Sequence, residues 1–178
     1  SNAASGSQTG IVNTGQNLAL FKEILYRMYH PGDGHMVDLA WNDSTATYTM
    51  NLANSSIQQS SGTYPKLIFT TAQIFDYNYN TADENQDFSI QLSINNNNEI
   101  SSSKELIVSN YGTIVYPNVH TIDDEETTRA LSLVTIEIPL ADFVDTDSLS
   151  FQNIQSIQFK FNQRSSGRLV FDNIQFSD

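Results

Sequence analysis

The sequence contains no cysteine in its 178 residues. Disulfide bonds, thiolate zinc sites and cysteine nucleophiles are therefore excluded. Tryptophan is nearly absent too, since Trp41 stands alone against ten phenylalanines. The phenylalanines are therefore expected to supply most of the aromatic core.

Basic residues are also scarce. Eight Lys and Arg stand against 20 Asp and Glu, which gives a formal net charge of -12. Because affinity for a phosphate backbone rests on clustered Lys and Arg, this balance argues against a nucleic-acid partner. It argues equally against binding to anionic membrane surfaces. No apolar run approaches the roughly 20 residues that cross a membrane.

The length suits one domain and is short for two independent cores. Residues 1–3 match the remnant of a cleaved expression tag, and residues 4–10 are rich in Ser, Gly and Gln. We therefore expect residues 1–16 to form a tag remnant and flexible leader. Residues 17–178 are expected to form a single β-sandwich domain that includes an N-terminal helix.

That helix is predicted for residues 17–29. Apolar side chains recur there on one face at helical spacing: Leu18, Phe21, Ile24, Leu25 and Met28. Pro31 and Gly32 follow and end the segment. A helix this short needs a partner surface, so we expect it to pack on the rest of the domain.

Beyond Gly34 the sequence is typical of short strands and polar turns. Residues 87–95 alternate, with four side chains expected to face inward: Phe88, Ile90, Leu92 and Ile94. Residues 156–162 alternate in the same way. Further strands are predicted for residues 36–42, 46–52, 66–74, 105–109, 112–116 and 131–138. Residues 95–98, 101–103 and 165–167 have turn compositions.

The last strand contains a break in its alternation. Leu169 and Phe171 share a face, whereas Ile174 and Phe176 continue the pattern one residue out of phase. A β-bulge after Phe171, at the Asp-Asn pair, restores the register. With this strand the chain has about eight, which predicts an all-β antiparallel sandwich of the jelly-roll type with one N-terminal amphipathic helix.

The C-terminal third also carries an order of motifs. Residues 138–143 read Ile-Pro-Leu-Ala-Asp-Phe, residues 153–161 contain Ile-Gln-Ser-Ile-Gln-Phe, and residues 171–174 read Phe-Asp-Asn-Ile. This order resembles the closing strands of galactose-binding-like jelly-roll modules, which include many carbohydrate-binding modules.

The resemblance implies a non-catalytic carbohydrate-binding module of the kind appended to secreted bacterial hydrolases. It implies a polysaccharide or glycan partner, an upstream catalytic domain and a secreted or cell-surface location in a bacterium. The alternative is a structural accessory domain that packs on a neighbouring catalytic domain and binds no sugar. An enzyme is not indicated, because the sequence has no G-x-S-x-G elbow, phosphate loop or dinucleotide fingerprint.

A calcium loop is one candidate site. Asp76, Asn78 and Asn80 stand at alternate positions, and Asp87 stands at the twelfth position counted from Asp76. Calcium takes six to eight hard oxygen ligands, and this spacing lets a loop wrap around it. The match departs at the sixth position, where Thr81 replaces glycine. The alternative is a solvated acidic loop.

Asp172 is a second candidate ligand for a structural calcium. In the modules that the chain resembles, the Asp of the final Asp-Asn-Ile strand often helps to bind this ion. The alternative is that Asp172 satisfies backbone groups at a turn or an edge.

Aromatic residues at or beside predicted loops are the candidate sugar-binding residues. Sugar rings present C–H faces that stack on flat amphipathic side chains. The candidates are Tyr111, Tyr116, Trp41, Tyr77 and Tyr79, with Tyr111 and Tyr116 favoured. The alternative for each is packing in the core or at an edge.

Overall fold

The computed structural model describes residues 6–9, 11–12, 37–52, 66–76, 78–96, 99–122, 126–144 and 154–177. The predicted helix at residues 17–29 lies outside the described residues. Within them, no helix is long and apolar enough to cross a membrane.

The described residues form β-strands, turns and two short 3-10 helices, Val108–Asn110 and Leu140–Phe143. The strands in chain order are β1 (Gly6–Thr9), β2 (Ile11–Val12), β3 (Val37–Trp41), β4 (Thr47–Asn51), β5 (Lys66–Gln73), β6 (Ser89–Asn96), β7 (Glu99–Ser102), β8 (Leu106–Ile107), β9 (Asn118–Ile122), β10 (Glu126–Ala130), β11 (Val134–Pro139), β12 (Ile154–Lys160) and β13 (Gly167–Ser177).

The strands build two main sheets. A six-stranded sheet has the order β1-β4-β12-β6-β7, with β8 also paired to β6, and a five-stranded sheet has the order β11-β5-β13-β3-β2. Strands β9 and β10 form a separate hairpin. Every described strand pair is antiparallel. The prediction of an all-β antiparallel sandwich is confirmed.

A phenylalanine cluster joins the inner faces of the two sheets. Phe159 of the six-stranded sheet lies 5.2 Å from Phe171 and 6.0 Å from Phe69 of the five-stranded sheet, measured between ring centroids. Both contacts are edge-on, the geometry that the ring quadrupole favours. The four side chains predicted to face inward from residues 87–95 are fully buried in this core. The period-two alternation of residues 87–95 therefore identifies the side chains that this strand contributes to the core.

The predicted bulge in the last strand is present. The register of β13 against β5 shifts between Asp172 and Gln175, and Asn173 adopts a left-handed φ of 52°. Asn tolerates this conformation better than most residues. The extra residue brings Ile174 and Phe176 back to the core side, where both pack against the cluster.

Some short edge elements differ from the sequence prediction. Strand β1 pairs with β4 and β2 with β3, although these residues belong to the predicted flexible leader. Residues 101–103, predicted as a turn, lie partly in β7. Residues 112–116, predicted as a strand, contribute one isolated bridge between Ile114 and Gln86. Edge strands pair through backbone groups, so side-chain composition is a weak guide to them.

Candidate functional site

The outer face of the six-stranded sheet carries amide and hydroxyl side chains in register. Gln158 of β12 pairs with Gln91 of β6 and with Thr49 of β4, and Ser156 pairs with Ser93 and Asn51. We call this surface the polar face. It comprises Thr47, Thr49, Asn51, Ser89, Gln91, Ser93, Asn95, Ser156, Gln158 and Lys160. Ser89 and Ser156 are buried, and the other side chains are at least partly exposed. Because alternate strand residues share a side, these groups form one layer opposite the core.

Lys160 is the only charged side chain of the polar face, and its charge is paired. Its Nζ donates to Glu105 Oε2 at 2.7 Å, and Asn162 Nδ2 donates to Glu105 Oε1 at 2.7 Å. The hydrogen bond from Lys160 and, to a smaller extent, that from Asn162 lower the pKa of Glu105. The polar face is therefore close to electrically neutral at pH 7.

The outer face of the five-stranded sheet is different in charge. It carries two ion pairs: Lys66 with Glu137 at 2.9 Å, and Arg168 with Asp38 at 2.8 Å. Asp172 stands on the same side of β13 as Arg168. The outer face of the five-stranded sheet therefore carries more charged side chains than the polar face, where Lys160 alone is charged.

An open cleft of about 440 Å³ lies beside the polar face, at the β8 edge. We call it the edge cleft. Its lining includes Lys104, Ile107, Asn110, Tyr111, Asp142 and Val144. The backbone N–H of Lys104 donates to the Phe143 carbonyl at 2.9 Å, which fixes one wall against the other. The volume lies within the range of known small-molecule sites.

Tyr111 is the sequence-predicted aromatic residue that the structure places in this cleft. Its ring is half-buried, and its hydroxyl donates to Asp142 Oδ2 at 2.9 Å. Burial, the hydrogen bond to Asp142 and the charge of that carboxylate raise the pKa of Tyr111 to about 12. The hydroxyl therefore stays protonated at neutral pH and holds the Asp142 carboxylate in place.

Trp41 and Tyr116 lie in the interior and offer no open ring face. Trp41 is 0% exposed, stacks on Phe161 with ring centroids 4.2 Å apart, and donates from Nε1 to the Arg164 carbonyl at 3.2 Å. Tyr116 is 7% exposed and contacts Phe75 edge-on. A sugar cannot stack on either ring in this structure. The favoured assignment of Tyr116 is therefore corrected to packing, and so is that of Trp41.

The remaining two aromatic candidates do not join the edge cleft. Tyr79 is half-buried in the loop before β6, where its carbonyl accepts the Ser166 hydroxyl at 2.9 Å. Tyr77 lies outside the described residues.

The predicted calcium loop uses its oxygens internally. Asp76 Oδ2 accepts from Arg168 Nη1 at 2.8 Å, so a guanidinium already neutralises this carboxylate. Asn80 is 1% exposed, and its Oδ1 accepts from Gln86 Nε2 and the Arg168 backbone N–H. Asp87 Oδ1 accepts from two backbone N–H groups, those of residues 88 and 109. Because these oxygens already accept hydrogen bonds from the protein, their arrangement does not fit a calcium ion.

Asn78 and Asp172 complete the candidate metal ligands. Asn78 is exposed, and its backbone N–H donates to Asp76 Oδ1 at 3.0 Å. Asp172 Oδ1 accepts the Asn173 N–H at 2.8 Å, across the bulge. Nowhere in the described part of the chain do three His, Asp or Glu side chains form a group that could hold a metal. The alternative reading of Asp172, a carboxylate that satisfies a bulge backbone group, matches this contact.

Calcium is not expected to raise the melting temperature by binding to these residues, because Arg168 already supplies the positive charge at Asp76. Thermal melts in calcium and in EDTA check this. A calcium-dependent rise that disappears in Asp76→Asn, Asp87→Asn or Asp172→Asn would contradict it.

Several residues of the two surfaces were not singled out by the sequence. The alternation of residues 87–95 and of residues 156–162 implies that Gln91 and Gln158 face outward, but it does not mark either one as a binding residue. Asp142 joins Tyr111 across 31 residues of chain, so no local pattern signals the pair.

Comparison with solved structures places the fold among carbohydrate-binding modules. One similar structure is the family 30 carbohydrate-binding module of the cellulosomal cellulase Cel9D-Cel44B of Clostridium thermocellum, with 11% identity and a TM-score of 0.62 over 98% of this chain and 92% of that chain. A second family 30 module has 12% identity and a TM-score of 0.55, with 99% and 92% covered. No protein-family model and no curated sequence matches the chain. The fold expected from the resemblance is confirmed.

Proposed function

We propose that this chain is a non-catalytic carbohydrate-binding module that holds a polysaccharide or glycan on the polar face. The observation that carries the proposal is the layer of neutral amide and hydroxyl groups on one sheet. The likeness of the fold to carbohydrate-binding modules supports it. Each Gln amide offers two donors and an acceptor, which matches the mixed donor and acceptor character of sugar hydroxyls.

The charges favour a neutral glycan over an anionic one. The formal net charge of -12 repels uronate or sulfated chains at long range. The polar face itself offers one cation, Lys160, and that cation is already bound to Glu105. A neutral glycan is not repelled by the net negative charge of the protein, and it brings no charge that would need a free cation on the polar face.

Binding positions on strands suit this role because their geometry is fixed. Gln91 Nε2 donates to the Ser103 carbonyl at 2.7 Å, and Gln158 Nε2 contacts Thr49 Oγ1 at 3.4 Å. These contacts limit the rotamers of both amides before a ligand arrives. A pre-oriented amide loses less entropy on binding than a free one.

We further propose a secreted or cell-surface location in a bacterium and a tether to a catalytic domain. By holding the glycan, the module would raise the local concentration of the tethered enzyme at its substrate. The family 30 neighbour belongs to a cellulase, which makes β-glucans the first ligands to test.

The double variant Gln91→Ala/Gln158→Ala is expected to reduce retention on the bound glycan about tenfold, because it removes hydrogen bonds worth about 0.5–1.5 kcal/mol each. Affinity gel electrophoresis against cellulose derivatives, mixed-linked glucan and xylan gives the measurement.

The matched control is Thr135→Ala/Gln175→Ala, which removes two exposed side chains from the five-stranded sheet. Thermal melts establish that both double variants remain folded. If the control loses retention and the Gln91→Ala/Gln158→Ala protein does not, the polar face is not the binding surface. Absence of retention by the unmodified chain on every glycan would favour the accessory-domain alternative.

A further inference from the structure

The edge cleft is continuous with the polar face. Ile107 of β8 pairs with Ser89 of the polar face. Glu105, which lines the cleft, accepts hydrogen bonds from Lys160 of the polar face and from Asn162 beside it. Ser89 itself is fully buried, so the surface between the polar face and the cleft is formed by the partly exposed Lys160 and Glu105 and the exposed Asn162.

The cleft combines an apolar wall with polar groups. Two apolar side chains line it: Ile107, which is 38% exposed, and Val144, which is half-buried. The lining also includes one cation, Lys104, and two carboxylates, Glu105 and Asp142. Apolar C–H patches and hydroxyl edges are the two surfaces of a pyranose ring, so the lining matches both. Neither a bare anion nor a purely apolar ligand satisfies this lining.

The carboxylate in the cleft is oriented before any ligand binds. Tyr111 donates to one oxygen of Asp142, which leaves the other oxygen, Oδ1, available to accept from ligand hydroxyls. Asp142 is exposed, whereas the Tyr111 ring beneath it packs against the core. The polar group is thus held on a rigid support, as binding sites require.

We propose that the edge cleft is a distinct sugar subsite that takes one pyranose unit of a neutral chain crossing the polar face. This proposal rests on the proposed function. It implies that oligosaccharides too short to span both surfaces bind on the polar face alone, and that longer ones gain affinity from the cleft.

The test is isothermal titration calorimetry with β-1,4-linked and mixed-linked gluco-oligosaccharides, from disaccharide to hexasaccharide. Ala141→Trp fills the cleft from an exposed position, and Asp142→Ala removes its oriented acceptor. Each variant is expected to weaken binding of the longest oligosaccharides about tenfold and to leave the shortest unchanged. Thr135→Trp, on the exposed side of the five-stranded sheet, is the matched control.

The other outcomes separate the two proposals. Unchanged affinity of Ala141→Trp at every length would overturn the subsite, while the loss in Gln91→Ala/Gln158→Ala would keep the proposed function. Equal weakening at every length would place the whole ligand in the cleft and overturn the division into two surfaces. If the unmodified chain binds none of the oligosaccharides or polysaccharides, the proposed function fails, and the subsite fails with it.

Discussion

Replacing Arg168 by alanine is expected to lower the free energy of unfolding by about 3–5 kcal/mol. The guanidinium is 6% exposed and binds two carboxylates, Asp38 through Nε and Nη2 at 3.1 and 2.8 Å, and Asp76 through Nη1 at 2.8 Å. The hydrogen bond to Asp38 and that to Asp76 raise the pKa of Arg168. Its removal leaves one buried carboxylate, Asp38, and one partly buried carboxylate, Asp76, without a counter-charge, and this desolvation is the source of the loss.

Urea unfolding at neutral pH measures this effect, with Lys66→Ala as the matched control. Lys66 and Glu137 form an ion pair of similar length, but their side chains are 43% and 51% exposed. Exposed pairs contribute about 0–1 kcal/mol. An Arg168→Ala protein no less stable than Lys66→Ala would show that the buried pairs do not support the fold.

Trp41→Ala is expected to cost about 3–5 kcal/mol, the usual result of emptying a large aromatic site in a core. The indole is fully buried and stacked on Phe161. Gly167 of the adjacent strand packs so closely against it that an added methyl group would overlap the ring. The indole therefore occupies a site with no spare volume.

Trp41→Phe is the control for the size of that loss. It keeps an aromatic ring on Phe161 and removes the hydrogen bond to the Arg164 carbonyl, so we expect a smaller loss, near 1 kcal/mol for the hydrogen bond itself. Thermal unfolding of both variants, with glycan retention measured below the transition, gives the comparison. Stable Trp41→Ala protein that no longer binds glycan would restore Trp41 as a ligand-binding residue.

The sheets of the sandwich were readable from the sequence because burial imposes a period of two. Phe88 and Phe159 reach the core by this rule, and the bulge beside Asp172 was visible as a one-residue break in the same rule. The same alternation also indicates that Trp41 is buried, because Trp41 lies on the same side of β3 as Leu39, and both side chains are in the core. Its position next to a loop was the weaker signal.

The site was less readable because it depends on residues far apart in the chain. Spacing alone suggested that Asp76 binds calcium, but its partner Arg168 lies 92 residues away. Tyr111 was singled out for its ring and its place beside a loop, yet its hydrogen-bond partner Asp142 comes from a different turn. Local sequence patterns identify candidate side chains, but the packing of the sheets determines which of these side chains contact each other.

The most direct measurement is a polysaccharide pull-down with the unmodified chain on neutral and anionic glycans, repeated in calcium and in EDTA. We expect retention on a neutral glycan, with β-glucans tested first, at the same level in both solutions, and no retention on polygalacturonate or heparin. Failure to bind every neutral glycan, or binding confined to the anionic ones, would contradict it.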